Sequence, residues 1–154
     1  MNTVYIGLGS NLGEREENIK KSIDELSGDE DITLLKKSGI YETVPLGHEE
    51  QPHFLNAAVA IQTTLQPYDL LEKLKGIEQK LGRKQTVKWG PRVIDIDILL
   101  YDDEIHSDDK LTIPHPLMHE RYFVLKPLAD IAPEVVHPIL DETIKELYEQ
   151  IALE

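Results

Sequence analysis

The chain has 154 residues, of which 29 are acidic and 16 are basic, and its net charge of −13 argues against nucleic acid or an anionic membrane as a partner. The absence of cysteine excludes disulfides and thiolate metal sites, and the 40% of hydrophobic residues is typical of one globular domain over residues 1–154. No apolar run reaches the ~20 residues of a membrane span, and no secretory leader is visible. We therefore expect a cytoplasmic protein that works as a monomer.

Hydrophobic periodicity predicts the order β-α-β-β-α-β, followed by further short elements. In chain order, the predicted elements are a strand over 4–8, a helix carrying Ile19, Ile23 and Leu26, a strand region over 32–43 interrupted near 36–39, a strand over 54–63, a helix from Pro67 to Leu81, a strand ending at Tyr101, a short strand near 104–106, and helices over 118–128 and 143–152. This order predicts an α+β fold, a ferredoxin-like βαββαβ sandwich with additional C-terminal elements, in which helices pack on an antiparallel sheet.

The strand that begins near residue 94 carries two carboxylates on one face. Ile94, Ile96 and Ile98 alternate with Asp95 and Asp97, so the isoleucines share the opposite face and half-bury the strand. Side chains two residues apart start only ~6.5–7 Å from each other, and two anions that close repel unless a cation lies with them. Arg92 and Lys88, a few residues earlier, are one candidate partner and a divalent metal is the other; a pair of solvated acids is the alternative.

Residues 83–92 form a basic segment in this otherwise acidic chain. They include four cations and no acid, namely Arg83, Lys84, Lys88 and Arg92. Taken alone, the segment is consistent with a solvated loop, but beside the two aspartates, Trp89 and Arg121 it favours a magnesium–phosphate site. Mg²⁺ takes one or two carboxylates plus phosphate oxygens, and arginines contact the remaining phosphate oxygens through forked hydrogen bonds.

Two other motifs match known sites only in part. The glycine-rich segment 7–13 has Leu12 where the dinucleotide fingerprint requires glycine, so it predicts a tight strand-to-helix turn, with a backbone contact to an anion left open. His115 and His119 have the spacing of zinc ligands on a helix, but Pro116 stands between them. His115 is therefore interpreted either as a fixed side chain presented to a ligand or as part of a structural turn.

An aromatic residue and a carboxamide share one face of the strand over 54–63. Phe54 and Asn56 are two residues apart, and such a pair can stack on a flat heterocycle while reading its edge. The alternative is that the aromatic residues belong to the core. The residues of this candidate pocket are Thr43, Pro45, Leu46, Phe54, Asn56 and Phe123.

Taken together, these motifs resemble the 6-hydroxymethyl-7,8-dihydropterin pyrophosphokinase family of folate biosynthesis. The resemblance covers nearly the whole chain, and residues 88–99 fit the family signature without a gap. The other matching segments are 5–13, 43–47, 51–57, 111–116 and 121–123.

The resemblance implies transfer of pyrophosphate from ATP to the hydroxymethyl group of 6-hydroxymethyl-7,8-dihydropterin, with release of AMP. It implies two Mg²⁺ ions on Asp95 and Asp97, Arg83 and Arg92 as further catalytic residues, and a lid around Trp89. The implied ATP-binding residues are Glu78, Arg83, Trp89, Arg92, Ile98, Lys110, Thr112, His115 and Arg121. The implied pterin-binding residues are Thr43, Pro45, Leu46, Phe54, Asn56, Trp89 and Phe123.

Four residues depart from the family pattern. Phe54 keeps the stacking ring of the usual tyrosine without its hydroxyl, and Lys110 replaces a forked arginine contact by a point charge. Val44 stands where a second proline is common, and Pro116 replaces an aromatic residue on the adenine side. The basic segment is also one residue shorter than in some relatives, which leaves its alignment open.

Two other functions compete with this interpretation. A non-catalytic ferredoxin-like module would bind a small ligand without turnover. A nucleotidyltransferase would use the same two carboxylates but would release pyrophosphate instead of AMP.

Overall fold

Strands and helices alternate along the polypeptide in the predicted order. The computed structural model describes residues 1–43, 53–82 and 93–152. The described elements are β1 (Asn2–Ser10), α1 (Arg15–Ser27), β2 (Ile32–Lys37), β3 (Tyr41–Thr43), β4 (Phe54–Thr63), α2 (Pro67–Lys80), β5 (Asp95–Tyr101), β6 (His106–Ser107), β7 (Thr112–Ile113), a 3₁₀ turn (Met118–Glu120), α3 (Tyr122–Ile131) and α4 (Ile144–Ala152). No helix in these ranges is long and apolar enough to cross a membrane.

The main sheet is antiparallel and has the strand order β2-β4-β1-β5, with β3 also paired to β4. The predicted break in the second strand region lies at residues 38–40. There the Ser38 N–H donates to the Ala58 carbonyl at 2.9 Å, and the Ser38 Oγ accepts the Ala58 N–H at 2.8 Å. Because β2 and β3 together count as one interrupted strand, the predicted ferredoxin-like βαββαβ pattern is confirmed.

Helices cover both faces of this sheet. One core lies between the sheet and the helices α1 and α2, and it includes Ile6, Leu26, Leu74 and Ile96. A second core lies on the opposite face and joins α3 and α4 to the sheet. Its buried members include Ala58, Leu99, Met118, Leu125, Leu128 and Leu147. The C-terminal elements therefore form a third layer, which leaves the sheet without a solvent-facing side over much of its length.

A register shift in β5 adjusts the strand to these two cores. Ile98 pairs with Ile6 and Leu100 pairs with Tyr5, so Leu99 is an extra residue between the two pairs. Such a bulge changes the side-chain alternation. As a result, Leu99 and Leu100 both belong to the second core.

Several predicted boundaries change in the structure. The helix expected over 118–128 is divided, because Arg121 is extended (φ −115°, ψ 106°) and separates the 3₁₀ turn from α3. The short strand expected near 104–106 is β6, one half of a small hairpin with β7. The last helix begins after Thr143, which forms a reciprocal capping pair with Glu146 at 3.0 and 3.1 Å.

Candidate active site

The two aspartates of β5 lie on the face of the sheet that the C-terminal layer covers. Ile94, Ile96 and Ile98 are buried in the core formed with α1 and α2. Asp95 and Asp97 alternate with them and are half-buried. The predicted separation of the acids and the isoleucines onto two faces of the strand is thus confirmed.

Glycines stand directly beside both aspartates on the neighbouring strand. In the β1–β5 register, Gly7 pairs with Asp97 and Gly9 pairs with Asp95. A side chain at Gly9 would place its Cβ 3.1 Å from the Asn56 Oδ1 and 3.6 Å from the Phe54 ring. The space over both glycines is already bordered by neighbouring side chains, because a Cβ at Gly7 would lie 3.4 Å from the Leu99 side chain.

Asn56 lies on the far side of the same glycine. Gly9 pairs with Asn56 in the β1–β4 register, so Asn56, Gly9 and Asp95 form one rung across three strands. With a spacing of about 4.8 Å between strands, the Cα atoms of Asn56 and Asp95 are about 10 Å apart. Asn56 is buried, and Phe54 lies two residues away on the same face and is half-buried. The sheet therefore brings the predicted carboxamide–aromatic pair and the predicted metal ligands to one surface.

Arg121 and Phe123 lie at the beginning of α3. The Arg121 Cζ is 5.6 Å from the centre of the Phe123 ring, which is within cation–π range. Arg121 is the residue that precedes the first turn of α3, and its extended backbone separates it from the 3₁₀ turn. The break in the predicted helix therefore places these two predicted ligand-binding side chains together.

His115 is attached to β5 from the other side of the 3₁₀ turn. Its N–H donates to the Leu99 carbonyl at 3.0 Å, and its Nδ1 accepts the Leu117 N–H at 3.4 Å. Burial lowers the pKa of the imidazole below its ordinary 6.5, the positive charge of Arg121 lowers this pKa further, and Asp95 acts in the opposite direction. The imidazole is therefore neutral at pH 7 and has both a cation and a carboxylate in its surroundings.

A cleft of about 250 Å³ opens at the outer edge of β5. It contains four of the predicted ATP-side residues together with one of the predicted metal ligands. Its lining comprises Leu71, Ile96, Asp97, Ile98, Asp108, Asp109, Lys110, Leu111, Thr112, His115 and Pro116. The hairpin of β6 and β7 thus forms one wall of a cavity whose other wall is the aspartate strand.

Glu78 is buried on α2 and contacts the backbone of the aspartate strand. Its Oε2 accepts the N–H of Ile96 at 2.7 Å. This carboxylate satisfies a backbone donor in the residue between Asp95 and Asp97, and so it helps to hold the strand in place. A contact of Glu78 with ATP remains a prediction.

Of the remaining predicted residues, the described part of the structure contains only Thr43. Thr43 ends β3 and pairs with Phe54 in the backbone register. The predicted residues Pro45, Leu46, Arg83, Trp89 and Arg92 lie outside the described residues. Among the described residues, no group of three or more His, Cys, Asp or Glu side chains is arranged to hold a metal, and the His119 ring contacts His137, with ring centres 6.2 Å apart.

Sequence reasoning missed the roles of Gly9 and Tyr41. The glycine-rich segment predicted only a turn or an anion contact, whereas Gly9 pairs with Asn56 on one side and Asp95 on the other. Tyr41 pairs with Asn56 across β3 and β4. Neither role has a signal in the local sequence, because both depend on which strands pair.

Solved structures first define the class of protein by its fold. The crystal structure of Plasmodium falciparum HPPK-DHPS with pteroate matches 97% of this chain with a TM-score of 0.75 and 20% sequence identity, and the match spans 42% of that longer chain. This likeness shows a shared α+β fold and nothing more.

Sequence comparison then gives the family. The profile described as 7,8-dihydro-6-hydroxymethylpterin-pyrophosphokinase (HPPK) matches residues 5–133. The 2-amino-4-hydroxy-6-hydroxymethyldihydropteridine pyrophosphokinase of Bacillus subtilis is 48% identical over 134 residues, 87% of this chain and 80% of that protein. The Aquifex aeolicus protein of the same name is 47% identical over 146 residues, 95% of this chain and 90% of that protein. The chain belongs to the HPPK family.

Proposed function

We propose that this chain transfers pyrophosphate from ATP to 6-hydroxymethyl-7,8-dihydropterin, giving AMP and the pterin diphosphate in folate biosynthesis. Membership of the HPPK family supports this proposal. The observation that carries it is the rung of Asn56, Gly9 and Asp95, since it joins a surface for a heterocycle to a surface for phosphate on one sheet face.

Asp95 and Asp97 are the proposed ligands of two Mg²⁺ ions. Both side chains are half-buried, both are oxygen donors, and both stand beside a glycine of β1 that adds no side chain of its own. This donor set fits Mg²⁺, which takes few carboxylates and completes its shell with phosphate oxygens and water. When bound, the metal neutralises charge on the phosphate oxygens and orients them for in-line attack.

Cationic groups would balance the remaining phosphate charge. We assign Arg121 to the ATP phosphates as a cation, and the neutral His115 nearby as a hydrogen-bond donor through its Nε2–H. Arg83 and Arg92 complete this set by family resemblance, and Trp89 would close over both substrates; these three assignments rest on sequence alone.

The cleft beside β5 is the proposed position of the nucleoside part of ATP. Ile98 and Thr112 would contact the adenine, while Lys110 supplies a positive charge at its rim. The cleft opens next to Asp97, so a nucleotide lying in it would extend its phosphates towards the two aspartates.

Asn56, Phe54 and Phe123 are the proposed pterin contacts, together with Thr43, Pro45, Leu46 and Trp89. The buried carboxamide of Asn56 has a donor and an acceptor for the amide edge of the pterin, and the two aromatic rings would stack on its faces. The hydroxyl oxygen then attacks the β-phosphorus, the bond from that phosphorus to the oxygen bridging the α-phosphorus breaks, and AMP leaves with that oxygen. Orientation of the two substrates supplies much of the rate enhancement.

Product analysis tests the reaction directly. Purified protein with ATP, Mg²⁺ and the reduced hydroxymethylpterin should release AMP and the pterin diphosphate in equal amounts. Removal of the metal with EDTA should abolish turnover, and excess Mg²⁺ should restore it. Release of ADP or pyrophosphate, or binding without turnover, would contradict the proposal and favour a simple kinase, a nucleotidyltransferase or a non-catalytic module respectively.

The remaining expectations are also proposals. We propose that residues 1–154 form a single pyrophosphokinase domain that works as a monomer in the cytoplasm, with small-molecule substrates and no nucleic-acid or membrane partner.

A further inference from the structure

Tyr41 stands beside the proposed pterin contact Asn56. The two residues are directly opposed in the antiparallel pair of β3 and β4. Side chains of directly opposed residues lie on the same sheet face with Cβ atoms ~4.5–5.5 Å apart. The Tyr41 ring is therefore on the face that carries Asn56 and Phe54, next to the surface proposed for the heterocycle.

One stripe of α3 faces this tyrosine. Phe123, Lys126 and Asp130 follow one another at spacings of three and four residues, which places them on one side of a helix. The Lys126 Nζ is 4.8 Å from the centre of the Tyr41 ring, and the Tyr41 hydroxyl donates to the Asp130 Oδ2. The Gly39 N–H also donates to that Oδ2 at 3.4 Å. Lys126 and Asp130 thus attach two successive turns of α3 to β3 and to the residues just before it.

The first residue of the stripe is Phe123, one of the two aromatic residues proposed to stack on the pterin. Phe123 lies seven residues before Asp130, which is about 10 Å along the helix axis. A flat ring held between two aromatic side chains needs a gap of about 7 Å, twice the optimal contact distance of ~3.5 Å. The distance of α3 from β3 and β4 decides whether Phe54 and Phe123 can provide that gap.

The charges and hydrogen bonds that join Tyr41 to Lys126 and Asp130 favour a fixed geometry for this contact. The hydrogen bond to Asp130 raises the pKa of the Tyr41 hydroxyl, so this group is protonated and donates at neutral pH. Hydrogen bonds to ionised acceptors are roughly twice as strong as neutral ones. Lys126 also donates to the Tyr148 hydroxyl on α4 at 3.4 Å, so the same cation connects β3 to both C-terminal helices.

We propose that Tyr41, held by Asp130 and Lys126, is a positioning residue that sets the distance between the sheet and α3 and thereby the fit of the pterin. The proposal rests on the proposed function. Tyr41 pairs with Asn56 and contacts α3 but is not assigned to a reacting atom, so its loss should weaken pterin recognition and leave the nucleotide side unchanged.

The test compares the Tyr41→Phe and Asp130→Ala variants with wild type in steady-state kinetics. Each should raise the KM for the hydroxymethylpterin about tenfold, the loss expected for one charge-assisted hydrogen bond. The KM for ATP and the kcat should stay within about twofold. Tyr41→Phe removes only a partly exposed hydroxyl, so the variant should fold normally and unfold at nearly the wild-type temperature.

Two further variants separate positioning from general structural damage. Asp130→Asn keeps an oxygen that accepts the Tyr41 hydroxyl and should restore most of the pterin affinity, whereas a merely structural role would make Asp130→Ala raise the KM for ATP and lower kcat as well. Glu134→Ala removes an exposed acid just after α3 and should behave as wild type. Two results for Tyr41→Phe would overturn this proposal, provided that wild type releases AMP. One is an unchanged KM for the pterin, and the other is an equal rise in the KM values for the pterin and for ATP. A wild type that releases no AMP overturns both proposals.

Discussion

Gly7 and Gly9 are important because each stands beside an aspartate without adding a side chain of its own. The β1–β5 register pairs Gly7 with Asp97 and Gly9 with Asp95. A methyl group at Gly9 would lie 3.1 Å from the Asn56 Oδ1, closer than ordinary van der Waals contact. Gly9 therefore leaves the Asn56 carboxamide and the Phe54 ring in the positions that a larger residue would disturb.

Gly9→Ala should weaken pterin binding. The new Cβ displaces the buried Asn56 carboxamide or the Phe54 ring, since both lie within 4 Å of it. We expect the KM for the pterin to rise about tenfold, because a misplaced carboxamide leaves the amide edge of the ligand without its partner. Steady-state kinetics with each substrate varied in turn measures the effect, and a larger change in the KM for ATP would contradict the assignment.

Asp97→Asn should nearly abolish turnover and leave the fold intact. The substitution keeps the size of a half-buried side chain but removes one anionic oxygen donor from the proposed metal site. Loss of one group that stabilises developing charge typically lowers kcat by about 10²–10³. AMP release measures the loss, and circular dichroism checks the fold. Asp103→Asn, which changes an exposed acid in the turn after the same strand, should keep the wild-type rate.

At the scale of elements, α2 is amphipathic but contains an interior glycine. Leu70, Leu74 and Ile77 are buried, whereas Gly76 is exposed, and a Cβ added to it would have no heavy atom within 4 Å. Glycine weakens a helix interior because it loses more backbone entropy on folding than alanine does. The burial of one face therefore stabilises α2 more than the intrinsic helix propensity of its residues does.

Gly76→Ala should stabilise the protein. With free space around the position, the gain is the difference in helix propensity, about 0.5–1 kcal/mol in the free energy of unfolding. Urea denaturation measures it, and kinetic constants should be unchanged. The variant is also the matched control for Gly9→Ala, because the same chemical change is made at an exposed position where the new Cβ has no neighbour within 4 Å. A destabilised Gly76→Ala would contradict the propensity argument.

The break between the 3₁₀ turn and α3 has a functional consequence. The apolar periodicity of residues 118–128 predicts one helix, but Arg121 is extended and begins α3 instead. Burial of Met118 in the second core and the hydrogen bond from His115 to Leu99 fix the turn on the sheet before the helix starts. Tertiary packing thus overrides the local helical pattern, and it leaves Arg121 and Phe123 at the helix entrance.

At the scale of the whole molecule, the stability of the C-terminal layer depends on the protonation state of the buried His137. It is 3% exposed, and its Nδ1 accepts the N–H groups of Ile139 and Leu140, each at 3.2 Å. Burial lowers the pKa of its imidazole below 6.5, and the neighbouring His119 lowers it further. Protonation would remove the acceptor that organises this turn.

Acidification should therefore destabilise the folded protein through His137. Well above the ordinary pKa of 6.5 the imidazole is neutral in both the folded and the unfolded state, so the stabilisation is fully present. As the pH falls below this value, the unfolded chain takes up the proton first, and the free energy of unfolding decreases until the folded pKa is passed. Urea denaturation between about pH 8 and pH 5 should show a smaller decrease for His137→Asn than for wild type. Equal decreases for the two proteins would contradict the prediction.

Much of the fold follows from local patterns in the sequence. The run of apolar residues over 54–63 predicts β4, and alternation with period two predicts the separation of Asp95 and Asp97 from their isoleucine neighbours; both agree with the structure. Helical periodicity and Pro67 predict the start of α2, because the residues that set these patterns are close together in the chain. The aspartate pair and the carboxamide–aromatic pair were found in the same way.

The sequence by itself thus determined the elements, the candidate ligands and the family resemblance. Only the tertiary structure decided that Asn56, Gly9 and Asp95 share one rung, that a second helical layer covers the sheet, and that Tyr41 holds α3 through Asp130. The physical reason is distance along the chain. Strand register and layer packing are set by contacts between segments tens of residues apart; the hydrophobic pattern of one strand selects which face is buried, but it does not name the strand that pairs with it.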